Sequence, residues 1–237
     1  NGSGWVVNGS SITVPTTRAP RWIELAPNPL AASNEIAMIL ADRNDDVYGM
    51  YWNSSTSTWQ GEAGLGNWSG GGNQVSTSTR KAIDVAYEQN SGEALFMWGR
   101  DQDDDQYFRT LSSGAWGTRT IESIATMGGR AEWVRLAPRS NSDQIMYVVQ
   151  DDGQDLNSML WNGSSFGNKV SHDPATEVRN DRNFDVVFET YGPNKHLAWL
   201  VWGDGWTLSR KQWNSSTSSW GGTTTLDCDT LAVTLAR

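Results

Sequence analysis

The stretch Tyr51–Trp59, YWNSSTSTW, returns almost unchanged as QWNSSTSSW at Gln212–Trp220. One such run is ordinary turn chemistry, because Asn, Ser and Thr bond their own backbone and tolerate tight bends. Two copies mark a repeat. Weaker relatives are LWNGSSF at Leu160–Phe166, LSSGAW at Leu111–Trp116 and NGSGW at Asn1–Trp5. The aromatics closing these phrases, Trp5, Trp59, Trp116, Phe166 and Trp220, follow one another at intervals of 54, 57, 50 and 54 residues. A near-constant period of this size belongs to stacked supersecondary units.

A second signature keeps the same spacing. RWIELAP (Arg21–Pro27), AIDVAYE (Ala82–Glu88), EWVRLAP (Glu132–Pro138), NFDVVFE (Asn183–Glu189) and LAVTLAR (Leu231–Arg237) are short, roughly alternating and rich in β-branched and aromatic residues. They read as one strand, A, of each unit. The units alternate: the first and third carry W-[IV]-x-L-A-P, the second and fourth [IF]-D-V-x-[YF]-E. Two further runs follow A in each unit, for example EIAMILA with VYGMYW and EALFMWG with QYFRTL. They flank a short polar turn and so form a hairpin of strands B and C. The Asn-Ser phrase is then the turn from C into an outer strand D.

Four antiparallel strands repeated without helices are the pattern of a β-propeller blade. The expected architecture is one all-β propeller domain over 1–237, with a sandwich or a β-prism of similar strand spacing as the alternatives. It has four complete units (about 20–80, 81–130, 131–181 and 182–225) and a partial fifth from 1–19 and 226–237. The fourteen Trp become packing material between sheets, since no blade buries both faces alone.

The net charge of −9, with no cluster of Lys or Arg, repels a phosphate backbone, so nucleic acid is not expected as a partner. No run approaches the roughly 18 apolar residues of a membrane helix, and membrane insertion is not expected. Cys228 is the single cysteine, which leaves no internal disulfide. A Lys-poor composition rich in Asn, Ser and Thr points to an extracellular or cell-surface location. The sequons at Asn1, Asn8, Asn53, Asn67, Asn162 and Asn214 fall in expected turns and are glycosylation candidates.

IDVAYEQNSGEALFMWG (Ile83–Gly99) and WNGSSF (Trp161–Phe166) resemble a family of bacterial secreted and surface repeat proteins of unassigned function. In these, W-[ND]-G-[ST]-S-W turns alternate with F-D-V-A-Y-E stretches. The resemblance covers most of residues 20 to 225, departs at Phe166, and implies an extracellular repeat protein without established catalytic residues. The turns also resemble the Asp-box turns of sialidases but lack their Asp and fixed Gly.

Several candidate sites follow. Asp84 and Asp185, with Glu88 and Glu189, occupy matching places in strand A. Matching places provide matching environments, whereas a glycosidase pair needs carboxylates held at different pKa values; caps and cross-blade hydrogen bonds are the expected role. The turns DRNDD, DQDDD and DDGQD gather Asp42, Asp45, Asp46, Asp101, Asp103, Asp105, Asp151, Asp152 and Asp155. Such oxygen donors suit calcium, and equally suit turns that bond their own backbone. Trp59, Trp116 and Trp220 recur at one blade position and are candidates for stacking on sugar rings, against a role in packing that Phe166 at the same place favours. Trp68, in the Gly-rich stretch outside the repeat, is the expected exposed contact.

The function expected from sequence is a non-enzymatic extracellular propeller. It would serve as a structural or adhesive surface module, assembling with copies of itself into filaments through the incomplete unit. The alternative is a lectin-like binder of surface glycans; a glycoside hydrolase comes third.

Overall fold

A computed structural model describes residues 16, 18–61, 68, 80–176 and 181–227. Among them there are eighteen strands and no helix. Sheet I contains β1 (Pro20–Pro27), β2 (Ile36–Asp42), β3 (Val47–Asn53) and β4 (Thr58–Gly61). Sheet II contains β5 (Ile83–Tyr87), β6 (Ala94–Gly99), β7 (Gln106–Ser112), β8 (Ala115–Trp116) and β9 (Thr120–Glu122). Sheet III contains β10 (Ala131–Pro138), β11 (Ile145–Asp151), β12 (Leu156–Trp161) and β13 (Phe166–Asp173). Sheet IV contains β14 (Phe184–Phe188), β15 (Leu197–Asp204), β16 (Thr207–Asn214), β17 (Ser219–Trp220) and β18 (Thr224–Asp227).

Each sheet is an antiparallel meander in chain order, matching the expected A, B, C and D. In sheets II and IV the outer position is shared by two short strands on the same C strand. The interruptions fall at Gly117 and Gly221, whose N–H groups bond Thr110 and Gln212 carbonyls and keep the ladder partly closed. The expected N-terminal D strand, the final A strand, Trp5, Asn1, Asn8, Asn67 and Cys228 lie outside the described residues.

The sheets stack through their first strands: β1 lies against β5, β5 against β10, and β10 against β14. Trp22 of sheet I meets Trp133 of sheet III edge to face at 6.2 Å, so the first strands of non-adjacent sheets converge as blades do around an axis. One apolar cluster fills the spaces from sheet I through II to III, and a second fills the space between III and IV. The B strands β6 and β11 have a sheet on each face and a strand on each edge, while β2 has sheet II on one face and the cluster of Met38, Leu40, Tyr48 and Met50 with Trp59 on the other. All three are buried almost throughout, which explains why they read as continuous apolar runs rather than alternating ones.

The repeated phrase has a local cause. Asn53 Oδ1 accepts the Ser55 N–H at 3.0 Å, and Thr56 Oγ1 shares a proton with Thr58 Oγ1 at 2.7 Å. Asn214 and Ser216, then Thr217 and Ser219, repeat this at 2.9 and 2.8 Å. Ser57 and Ser218 occupy left-handed backbone at φ 54° and 50°. The turn sets Trp52 opposite Trp59 and Trp213 opposite Trp220, edge to face at 5.9 and 5.5 Å. It builds a cross-strand aromatic pair, which in sheet IV meets sheet III through Trp220 and His172 and in sheet I covers that sheet's own outer face.

Trp68 corrects an expectation. It is only 5% exposed, wedged between sheets I and II against Phe96, Trp98 and Trp116. The vacancy that it fills is Gly49, where a Cβ would lie 1.8 Å from the indole; sheet II carries Phe108 at the matching rung.

The hairpin turns between B and C are held by carboxylates. Asp42 Oδ1 accepts the N–H groups of Asn44 and Asp46. Asp151 Oδ1 accepts that of Asp155, and its Oδ2 those of Gly128 and Gly129. Burial pushes Asp151 up to about 6. Burial also pushes Asp45 up to about 6, Arg21 at 3.4 Å opposing it and Asp42, Asp101 and Asp46 adding to it.

Two outcomes are expected. Gly49→Ala displaces the Trp68 indole, costing about 1–3 kcal/mol and increasing acrylamide quenching of tryptophan fluorescence; unchanged stability would place the indole elsewhere. Asp45 holds its proton in the folded state between pH 4 and 6, where the unfolded chain has released it, so its contribution to stability declines as pH rises through that window. Asp45→Asn, which also suits the backbone at φ 63°, raises stability at pH 7.5 by about 1–2 kcal/mol and gives no gain at pH 4, as read by denaturant titration.

Candidate functional site

Two clefts are built alike between neighbouring sheets. The first, about 240 Å³, lies between sheets I and II and is lined by Glu35, Tyr51, Asn53, Ser55, Ser113 and Gly114 among others. The second, about 300 Å³, lies between sheets II and III and is lined by Glu93, Phe108, Thr110, Trp161, Gly163 and Ser164 with Thr118 and Thr120. The strand registers make the parts equivalent. Glu35 and Glu93 each immediately precede the B strand. Tyr51 and Thr110 pair with the second residue of that strand, Ala37 and Leu95. Ser113–Gly114 and Gly163–Ser164 are the tips of the C-to-D turns of the following sheets. These tips need left-handed backbone, with φ 50° at Ser113, 80° at Gly114 and 99° at Gly163. At Gly114 a Cβ would approach the Tyr51 hydroxyl to 2.8 Å, so the glycine keeps the first cleft open.

Each cleft thus offers a carboxylate, several hydroxyls and an aromatic wall. Glu35 accepts the Tyr87 hydroxyl at 2.6 Å; burial and that acceptor hold the phenol protonated well above its ordinary range. Tyr51 donates to Gln60 at 2.6 Å. Beneath the second cleft, Trp161 Nε1 donates to Glu88 at 2.6 Å, and Ser91 donates to the other Glu88 oxygen. Burial raises the Glu88 pKa against those two donors. The set suits a small ligand bearing adjacent hydroxyl groups, which a carboxylate accepts in pairs while a ring face covers C–H groups. Sequence reasoning passed over Glu35 and Glu93. The signal was present, since both units place Glu directly before the B strand, where the third and fourth have Gln144 and Leu197.

The recurrent aromatics pack instead. Trp116 sits against Tyr51 and Trp68, Phe166 against Phe108, and Trp220 against His172 at 4.7 Å, each meeting the preceding sheet. Trp59 lies on the cluster of Met38, Leu40, Tyr48 and Met50 on the outer face of sheet I. Among the described residues the large aromatics that stand exposed are Trp206 and Tyr191, which the sequence did not single out.

The acidic turns do not assemble into a metal site: among the described residues no three carboxylate, imidazole or thiolate groups gather so as to hold an ion. Their oxygens turn to other work. Asp42 and Asp151 cap backbone, Asp103 accepts from Tyr107 at 3.0 Å, Asp105 accepts from Ser123, and Asp45 and Asp152 face Arg21 and Arg130. Asp101 lies near Asp45 and Asp155 near Asp151, and each raises the pKa of that neighbour. Of the sequons described, Asn162 is exposed and Asn53 and Asn214 are half-buried, all three with Oδ1 committed to their turns.

Along the A strands runs a row of charges, Glu24, Asp84, Arg135 and Asp185, one per sheet at one rung. Glu24 pairs with Lys81 at 2.6 Å and Arg135 with Asp185 at 3.2 Å. Asp84 differs: its Oδ2 accepts the Leu136 N–H of the next sheet at 2.7 Å, the cross-blade bond expected of it. Burial raises the Asp84 pKa. Asp185, by contrast, is exposed, so the two aspartates do not share an environment as their matching positions implied. The cause is that sheet III covers Asp84.

The chain matches no protein-family model and no curated protein. Solved structures of similar shape include AofleA from Arthrobotrys oligospora, at 8% identity over 86% of this chain and 56% of that one, with a TM-score of 0.51. A fucose-specific lectin from Aleuria aurantia follows at 13% identity over 85% and 63%, TM-score 0.48. An exo-β-1,3-galactanase from Phanerochaete chrysosporium stands at 12% over 92% and 53%, TM-score 0.47. The chain therefore spans little more than half the length of AofleA, and the likeness to it is one of fold alone.

Proposed function

We propose that this protein is an extracellular, carbohydrate-binding repeat module of propeller type whose ligand sites are the clefts between consecutive sheets. The observation that carries the reading is the double construction of one cleft from equivalent parts, Glu35 with Tyr51 and Glu93 with Thr110. Apolar packing explains the rest of each interface but requires no carboxylate at its mouth. The clefts are small and open, so each binds weakly, and several sites on one module raise the effective affinity for a surface that displays many copies of a glycan. An adhesive role then follows from binding.

Glycan-array screening of the labelled protein, followed by calorimetry with the best sugar, tests this. Glu35→Gln and Glu93→Gln each remove one charged acceptor. Together they are expected to weaken binding about 10- to 100-fold without lowering the melting temperature. Binding indifferent to both substitutions, or no binding to any glycan, would overturn the proposal.

A further inference from the structure

The two clefts differ in what holds the carboxylate at the mouth. In the first, Glu35 accepts the Tyr87 hydroxyl at 2.6 Å. Tyr87 ends β5 and pairs with Ala94; the matching place on sheet III is Pro138, which ends β10 and pairs with Ile145. Proline has no side-chain donor, so Glu93, the counterpart of Glu35, gains no such bond. Among the described residues the Glu93 side chain has neither a hydrogen-bond nor an ion-pair partner.

Two further carboxylates stand behind the second cleft. Gly163 lines it, and a Cβ there would lie 3.0 Å from Asp143 Cβ and 3.9 Å from Glu88 Oε1. Ser91 ties the two together, its hydroxyl donating to Glu88 and its N–H to Asp143 at 2.8 Å. Burial raises the Glu88 pKa against the Ser91 and Trp161 donors, and the charges of Asp143 and Glu93 raise it further. No Lys or Arg lines this cleft among the described residues, and none of the three carboxylates enters an ion pair there. The remaining lining is neutral: Thr110, Thr118, Thr120 and Ser164 supply hydroxyls, Phe108 and Trp161 ring surface.

A ligand that suits the whole cleft brings a positive charge, hydroxyls beside it and a C–H face. We infer that the second cleft binds an amino sugar, its protonated amine donating to Glu93 with Glu88 and Asp143 adding to the attraction, while the first cleft takes a neutral sugar. The inference rests on the reading of both clefts as carbohydrate sites and adds the charge class of the ligand. Attraction between charges is stronger in a partly enclosed cleft than in open water. N-acetylation of the sugar, which removes its charge, abolishes that attraction.

Nuclear magnetic resonance of the protein isotopically labelled at its tryptophan indoles tests this, by titration with D-glucosamine, D-glucose and N-acetyl-D-glucosamine just below neutral pH, where the sugar amine is charged. The Trp161 indole resonance, assigned with Trp161→Phe, reports on the second cleft. D-glucosamine is expected to shift it with a Kd about tenfold below those of the other two sugars, and Glu93→Gln to bring the three together. Equal affinities in the unaltered protein overturn the inference and leave the carbohydrate reading standing. No response of the resonance to any of the three sugars overturns it as well, and the glycan array then decides the broader reading. A preference that survives Glu93→Gln, or that ethanolamine reproduces at the same concentrations, overturns it too, because the group recognised would then not be a sugar amine held by Glu93.

Discussion

A four-stranded sheet with two apolar faces is stable only between neighbours, and that requirement governs this protein. A fully buried large side chain contributes roughly 1.5–3 kcal/mol relative to exposure, and the B strands place such residues on both faces. Every other feature serves the close apposition of sheets. The Asn-Ser turns build a cross-strand aromatic pair, which in sheet IV packs toward sheet III, and the glycine breaks in the outer strands let short segments share one edge. Where a strand residue leaves a gap, as at Gly49, an indole from beyond the repeat fills it.

Apposition by apolar contact fixes distance but not register, and the charged row along the A strands supplies the second. Apolar surfaces slide; a carboxylate bonded to one N–H does not. Asp84 is costly to bury, as its raised pKa records, and the backbone donors from Val85 and Leu136 offset that cost only at one relative height of the two sheets. The clefts inherit this precision, because each is made from two sheets and neither half would form a site if the neighbour slipped by a rung.

Much of this was legible in the sequence, and the exceptions have physical causes. Strand positions, the hairpins and the turn chemistry followed from local pattern, since Asn53 and Asn214 act within two residues of themselves. The packing role of Trp116, Phe166 and Trp220 was readable from the exchange of Trp for Phe. Trp68 was misread because its environment is set by Gly49, nineteen residues away, and a missing side chain is a quiet signal. The acidic turns admitted two readings, calcium loop or self-bonded turn, because an Asp that caps its own turn has the same spelling as one that binds an ion. The clefts were missed because their parts lie in two units, with Glu35 and Ser113 separated by almost eighty residues. Reading one unit at a time could not join them.

The row of charges along the A strands carries a consequence for how such an array changes length. Removing sheet III alone would bring Asp84 beside Asp185 without Arg135 between them, leaving only Lys81 and Arg182 of their own sheets to offset the two like charges. Inserting a single unit would create a similar mismatch elsewhere. Removing or adding two adjacent units restores every partner. The charges at the junctions are thus matched across pairs of sheets, and a change of length by a whole pair disturbs them less than a change by one.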